Sequence, residues 1–172
     1  MNRSAQYVLL LAVALSAATA GFFLSSQLKS GKVDTSALMA AALPDVSGAP
    51  RTLQDWRGKL LVVNFWATWC PPCLEEIPIF IDLQSRLGVR GLQFVGIAVD
   101  DAPSVREFAR AKGINYPLLV GQTGAIELSR AAGNLQGGLP YTVVLDQRGR
   151  LLGRFHGAVQ PTELERLLLT HL

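Results

Sequence analysis

The hydrophobic pattern changes period repeatedly along the chain. Residues 60–67, "LLVVNFWA", form a nearly continuous apolar run rich in β-formers. That pattern predicts a central strand covered on both faces. "CPPCLEEIPIFIDLQSRLG" follows and reads as a helix, with prolines in its first turn, where missing N–H groups cost little, and Gly88 at its end. "LQFVGIAVD" (92–100) predicts a second buried strand. "APSVREFARAKG" (102–113) predicts a helix opening near Ser104 and closing at Gly113. A short strand over 116–120 and a helix over 123–134 come next. "YTVVLDQRGRLLGRFHG" (141–157) reads as two strands joined at "DQRG". The amphipathic "QPTELERLLLTHL" closes the chain as a helix, with Glu163 and Glu165 in its first turn. Residues 43–59 read as an N-terminal extension of short strands and turns, with a turn at Gly48 and Pro50. Strands alternating with helices, then a hairpin and a final helix, predict an α/β fold with a central mixed sheet flanked by helices.

The N-terminus has a different character. Residues 7–24, "YVLLLAVALSAATAGFFL", carry no charge. As a helix this run is roughly 27 Å long, close to the ~30 Å of a bilayer's hydrocarbon core. Two export readings compete. Ala18-Thr19-Ala20 offers a signal-peptidase site, whereas "GFFL" continues the apolar run beyond it and favours a retained anchor. Both put the domain outside the cytoplasm. The organisation expected is an anchor or signal sequence over 1–30, a tether with a short helix over 31–42 and one domain over 43–172. The formal net charge of the 172-residue chain is +3, and Arg3 and Lys29 of the N-terminal segment supply two of those positive charges. The remaining basic residues are scattered without a run, which argues against a nucleic-acid partner.

Both cysteines of the chain fall in "WCPPC". A structural staple across two residues removes little entropy from the unfolded chain. A zinc site needs further ligands, and only His156 and His171 are on offer. Redox exchange suits the surroundings better. A buried strand runs into the pair and a helix runs out, so Cys70 sits at a helix N-terminus that stabilises a thiolate, with Cys73 one turn in. The outer sulfur can attack and the inner one can resolve.

At "VVNFWATWCPPCLEEIP" the chain resembles the thioredoxin superfamily, and more closely the membrane-anchored TlpA/ResA-like thiol-disulfide oxidoreductases of bacteria. The resemblance spans roughly 43–172. Pro78 falls five residues after the second cysteine, as in thioredoxins, and "GLPYTVVLDQRGR" (138–150) resembles the family's cis-proline loop, strand, turn and strand. The fold implied is thioredoxin-like, with an N-terminal strand extension and a central strand–helix insertion between 92 and 120. Nothing resembles the peroxidase signature of peroxiredoxins. Residue by residue, the resemblance implies Cys70 as attacking thiolate, Cys73 as resolving thiol, and the two together as a redox disulfide. It implies a cis Leu139–Pro140 bond beside them, where a substrate segment would pair, and Trp69 as part of the docking surface. Trp66 and Trp56 read as core or support residues. Thioredoxins carry a buried Asp six residues before the first cysteine, a position held here by Asn64, which cannot exchange a proton. In the TlpA/ResA-like branch a Glu three residues after the second cysteine resembles its substitute. That residue is Glu76, which shares a helix face with Cys73, while Glu75 should point to solvent.

The two prolines between the cysteines remove N–H donors near the Cys70 sulfur and favour reduction over oxidation, with disulfides in exported proteins, such as apocytochromes c or copper-site proteins, as the expected substrates. The partners implied are those substrates, a membrane-embedded thiol donor and the inner membrane through residues 7–24. No cofactor or metal is implied. Two other classes stay open: a non-catalytic binding module using the groove beside Pro140, and a metallochaperone holding Cu(I) on both thiolates.

Overall fold

A computed structural model describes residue 33 and residues 35–172 of the chain. The expected anchor over 1–30 lies outside the described residues, and among the described residues no helix is long and apolar enough to cross a membrane.

The sheet is built around the apolar run. β3 (Leu60–Trp66) is buried at every position. It pairs in parallel with β4 (Leu92–Ala98) and antiparallel with β6 (Tyr141–Leu145). β5 (Leu118–Val120) extends the sheet beyond β4, and β7 (Leu151–His156) extends it beyond β6, for an order of β5-β4-β3-β6-β7. The expected mixed sheet is therefore present, with the chemistry-bearing strand at its centre. The N-terminal extension forms a small separate hairpin of β1 (Leu43–Pro44) and β2 (Pro50–Arg51). Asp45 bridges from there to Leu119 and so covers the β5 edge. Of the segment 92–120, β4 lies inside the sheet and β5 at its edge, with a helix between them.

Among the described residues five α-helices clothe the sheet: α1 (Ser36–Ala40), α2 (Pro71–Leu87), α3 (Ala102–Lys112), α4 (Gln122–Ala131) and α5 (Pro161–His171). Alternation along β3 divides the core in two. Leu60, Val62 and Trp66 pack with Ile77 and Phe80 of α2, Val105 of α3 and Leu164 of α5. Leu61, Val63 and Phe65 pack on the other face with Leu38 of α1 and Ala125 of α4. Trp66 lies so close over Gly96 that a Cβ there would sit 2.9 Å from the indole nitrogen, which explains the absence of a side chain in mid-strand.

Two local details differ from the sequence reading, and a third, at the end of α2, extends it. The segment expected as a tether contains α1, whose Leu38 is 1% exposed, so the packed body starts upstream of Leu43. A helix of five residues stands only because Leu38 and Met39 bury against the sheet. α2 ends at Leu87 with Gly88 as its C-cap, as read from the sequence, but Gly88 stays right-handed. A 3-10 turn over Gly88–Arg90 continues it, and Gly91 takes the positive φ of 103° that glycine tolerates. α3 starts at Ala102, ahead of Ser104, because the Asp101 carboxylate accepts from the Ser104 N–H at 2.9 Å and caps the first turn.

Candidate active site

The site grows from the end of β3. The chain leaves the sheet at Trp66 and enters α2 with Cys70 as N-cap and Pro71 and Pro72 as the first helical residues. Thr68 holds the intervening turn to the β4–α3 connection: its backbone N–H donates to the Asp100 carboxylate at 3.2 Å, and its hydroxyl donates to the same oxygen. Cys70 and Cys73 form a disulfide with Cα atoms 5.3 Å apart. Both cysteines are buried, Cys70 keeping 5% exposure and Cys73 none. Trp69, next to Cys70, is 64% exposed, an unusual position for a large apolar ring. Trp66 is core, packed on Phe108, and among the described residues its indole N–H is the one fully buried side-chain polar atom without a hydrogen-bond partner.

The Leu139–Pro140 bond is cis. The topology brings it to the cysteines. β3 and β6 run antiparallel with Phe65 opposite Tyr141, so the start of β6 lies at the end of the sheet where β3 delivers the motif. Leu139 packs against the apolar cluster that includes both cysteines. Pro140 is buried, and its carbonyl accepts from the Gly157 N–H at 3.0 Å, which ties the loop to the end of β7. Upstream, the buried Asn134 amide donates to the Gly138 carbonyl at 2.8 Å and fixes the approach to the cis bond.

Glu76 is 1% exposed although it is a carboxylic acid, while Glu75 is exposed. Two donors meet the Glu76 carboxyl group. Asn64 Nδ2 donates to Oε1 at 2.7 Å, and the Val159 backbone N–H donates to Oε2 at 3.1 Å. Burial raises its pKa from an ordinary 4.5 to about 7, and the Val159 and Asn64 bonds oppose that rise. Burial also raises the pKa of Tyr116, and the Glu76 charge adds to the effect. An acid that changes charge near neutrality, one helical turn from an inner thiol, is equipped to take a proton from it.

All six residues singled out from the sequence are located here, and the sheet topology brings Cys70, Cys73, Leu139 and Pro140 to one end of the domain. Asn64, Thr142 and Val159 were not anticipated as partners of the site. The signal available for Asn64 was its polarity inside "LLVVNFWA". His156 packs on Tyr141 in a tilted pair with ring centroids 4.8 Å apart, and His171 bonds the Leu167 carbonyl. Among the described residues no group of three or more His, Cys, Asp or Glu could hold a metal ion. A cleft of about 440 Å³ lies between Asp45–Trp56 and Ala109–Leu119, and none of the six site residues lines it.

The chain is 33% identical over 131 residues to the thioredoxin-like protein YneN of Bacillus subtilis, covering 74% of each chain. It is 29% identical over 127 residues to the thiol-disulfide oxidoreductase ResA of Geobacillus kaustophilus, covering 73% of this chain and 71% of that one. The crystal structure of a thiol:disulfide interchange protein of the thioredoxin family from Chlorobium tepidum matches with a TM-score of 0.65 and 33% identity, over 76% of this chain and 92% of that one. The Redoxin family profile matches residues 29–168. With a redox-competent cysteine pair at a strand–helix junction and a cis-proline loop at the same end of the sheet, the chain belongs to the Redoxin family, as a TlpA/ResA-like member of the thioredoxin superfamily.

Proposed function

We propose that the protein is an extracytoplasmic thiol-disulfide oxidoreductase that reduces disulfides in exported proteins. The observation that carries this reading is the Cys70–Cys73 pair at the N-terminus of α2 with a buried acid, Glu76, one turn behind it. In the reduced enzyme the Cys70 thiolate attacks one sulfur of a substrate disulfide. That bond breaks, a mixed disulfide forms, and the first substrate sulfur leaves as a thiolate that takes a proton from solvent. The Cys73 thiol passes its proton to Glu76, and its thiolate attacks the Cys70 sulfur. The second substrate thiolate leaves, and the Cys70–Cys73 disulfide closes. Two electrons have passed to the substrate. A dithiol donor in the membrane returns them, since cytosolic reductants do not reach that compartment. No cofactor enters the cycle.

Trp69 and the Leu139–Pro140 loop form the docking surface, where an extended substrate segment lies against the loop and the indole covers its side chains. The two prolines support this direction. Pro71 and Pro72 occupy the first two helical positions and offer no N–H to the Cys70 sulfur. A thiolate with fewer donors keeps a higher pKa, and its disulfide is a weaker oxidant. The apolar run 7–24 supports retention at the inner membrane with the domain outside. Disulfides of apocytochromes c or of copper-site proteins are the substrate classes that fit this compartment.

The reduction potential of the Cys70/Cys73 couple, measured against glutathione, tests the direction. A value near roughly −270 mV is expected, and a value near roughly −120 mV would make the protein an oxidase. Insulin reduction tests the activity itself: none would mark a binding module. Copper retained stoichiometrically after purification would mark a metallochaperone.

A further inference from the structure

The strand residue that faces Glu76 has no role in the cycle just described. Asn64 is 2% exposed and stands on β3 between Val62 and Trp66 on the face that receives α2. A polar side chain in that apolar layer is costly unless it is hydrogen-bonded, and an aliphatic one would fill the layer without that demand. Its two amide hydrogens are both engaged. One meets Glu76 Oε1 at 2.7 Å, and the other meets Thr142 Oγ1 at 3.0 Å on the neighbouring strand, where Thr142 lies directly opposite in register. Thr142 is two residues beyond Pro140.

We infer that Asn64 is a positioning residue for the proton relay, its carboxamide holding the Glu76 carboxylate ready to accept the Cys73 proton and tying it to the strand that follows Pro140. The inference rests on the relay reading of Glu76.

The amide is suited to this position where other groups are not. A carboxylate at 64 would lie within hydrogen-bonding distance of the Glu76 carboxylate, and two such groups share one proton because both cannot ionise. An aliphatic residue would leave Oε1 buried without its donor. The carboxamide donates to the ionised acid and carries no charge that competes with it. Glu76 is then gripped from two sides, by β3 through Asn64 and by the β7–α5 connection through Val159. Two titratable groups share its surroundings, Cys73 one turn back on α2 and Tyr116 ahead of β5. Strand β6 contributes the Thr142 hydroxyl, and the β7–α5 connection contributes a backbone amide.

The experiment uses the full-length chain. In the unaltered protein, the side-chain amide resonances of Asn64 and the Glu76 carboxyl carbon are followed by NMR across pH. Both are expected to move with one midpoint. An Asn64 amide that stays still while Glu76 titrates overturns the inference, and no folding defect can account for that result. Disulfide-exchange rates across pH are then measured for variants. Asn64→Leu is expected to move the Glu76 midpoint and the rate midpoint alkaline by about one to two pH units, since a donor to a charged group is lost. Thr142→Val, which keeps the strand's shape, is expected to move both the same way by less. In a Glu76→Gln background, Asn64→Leu is expected to leave the pH profile unchanged; a shift that persists there overturns the inference. If Glu76→Gln slows exchange while neither Asn64→Leu nor Thr142→Val moves a midpoint, the relay stands and Asn64 loses its role. If Glu76→Gln exchanges at the wild-type rate, the relay itself falls and the inference falls with it.

Discussion

Glu76 carries a stability signature that can be read without any substrate. Its pKa is 4.5 in an ordinary environment and about 7 in the folded protein. Below pH 4.5 the group is protonated in both states and contributes nothing to the pH dependence. Between pH 4.5 and 7 the unfolded chain releases a proton that the folded chain keeps. The folded state binds more protons there, so stability falls as pH rises, and above pH 7 the full penalty is in place. The interval from 4.5 to about 7 corresponds to about 3 kcal/mol. Replacing Glu76 with Gln removes the titration. It also sets an amide against the Val159 N–H, which costs a constant amount at every pH. Only the slope is therefore diagnostic. Urea unfolding of the oxidised full-length chain and of Glu76→Gln, from pH 4.5 to 8, should show the variant gaining about 3 kcal/mol relative to wild type across the window. Asp45, held low by the Ser47 hydroxyl, and Asp101, held low by the Ser104 N–H, lose their contributions only as pH falls below their ordinary 3.8, outside that window. A difference between the two proteins that stays constant from pH 4.5 to 8 would refute the claim that burial holds Glu76 protonated toward neutrality.

Two further outcomes follow from the site and the chain. Cys73→Ser should accumulate mixed disulfides through Cys70, visible as bands that disappear with reductant, because attack proceeds and resolution cannot; trapping by Cys70→Ser instead would reverse the two roles. Carbonate extraction of cells should leave the protein in the membrane pellet, whereas a soluble product beginning at Gly21 would replace the anchor by a cleaved signal peptide.

What the sequence alone determined was local. The run "LLVVNFWA" specifies a strand covered on both faces, and that strand is the centre of the sheet. The change from that run to "CPPCLEEIP" specifies where the strand stops and the helix starts, and with it the place of Cys70 and Cys73. The i, i+3 spacing of Cys73 and Glu76 and the exposure of Glu75 follow from helical periodicity. Apolar period and proline placement are short-range properties, and they survive in any fold that buries these residues. The end of α2 at Gly88 was legible as well, while the 3-10 turn that carries the chain on to Gly91 was not.

The tertiary structure decided what the helix face meets. Glu76 is paired with Asn64 from β3 and with Val159, which lies 83 residues away in sequence. No window of the chain contains both partners. The polar residue within the apolar run read as a missing acid, and only sheet register and helix packing turned it into the donor for the acid on α2. Leu38 read as part of a tether with a short helix, because five residues of helix have no stability of their own; it belongs to the core because Leu61, Val63 and Phe65 of β3 and Ala125 of α4 are there to receive it. Long-range register, which sets Asn64 against Thr142 and Phe65 against Tyr141, is a property of the assembled sheet, and it brings the cysteines and Pro140 to the same end of the domain.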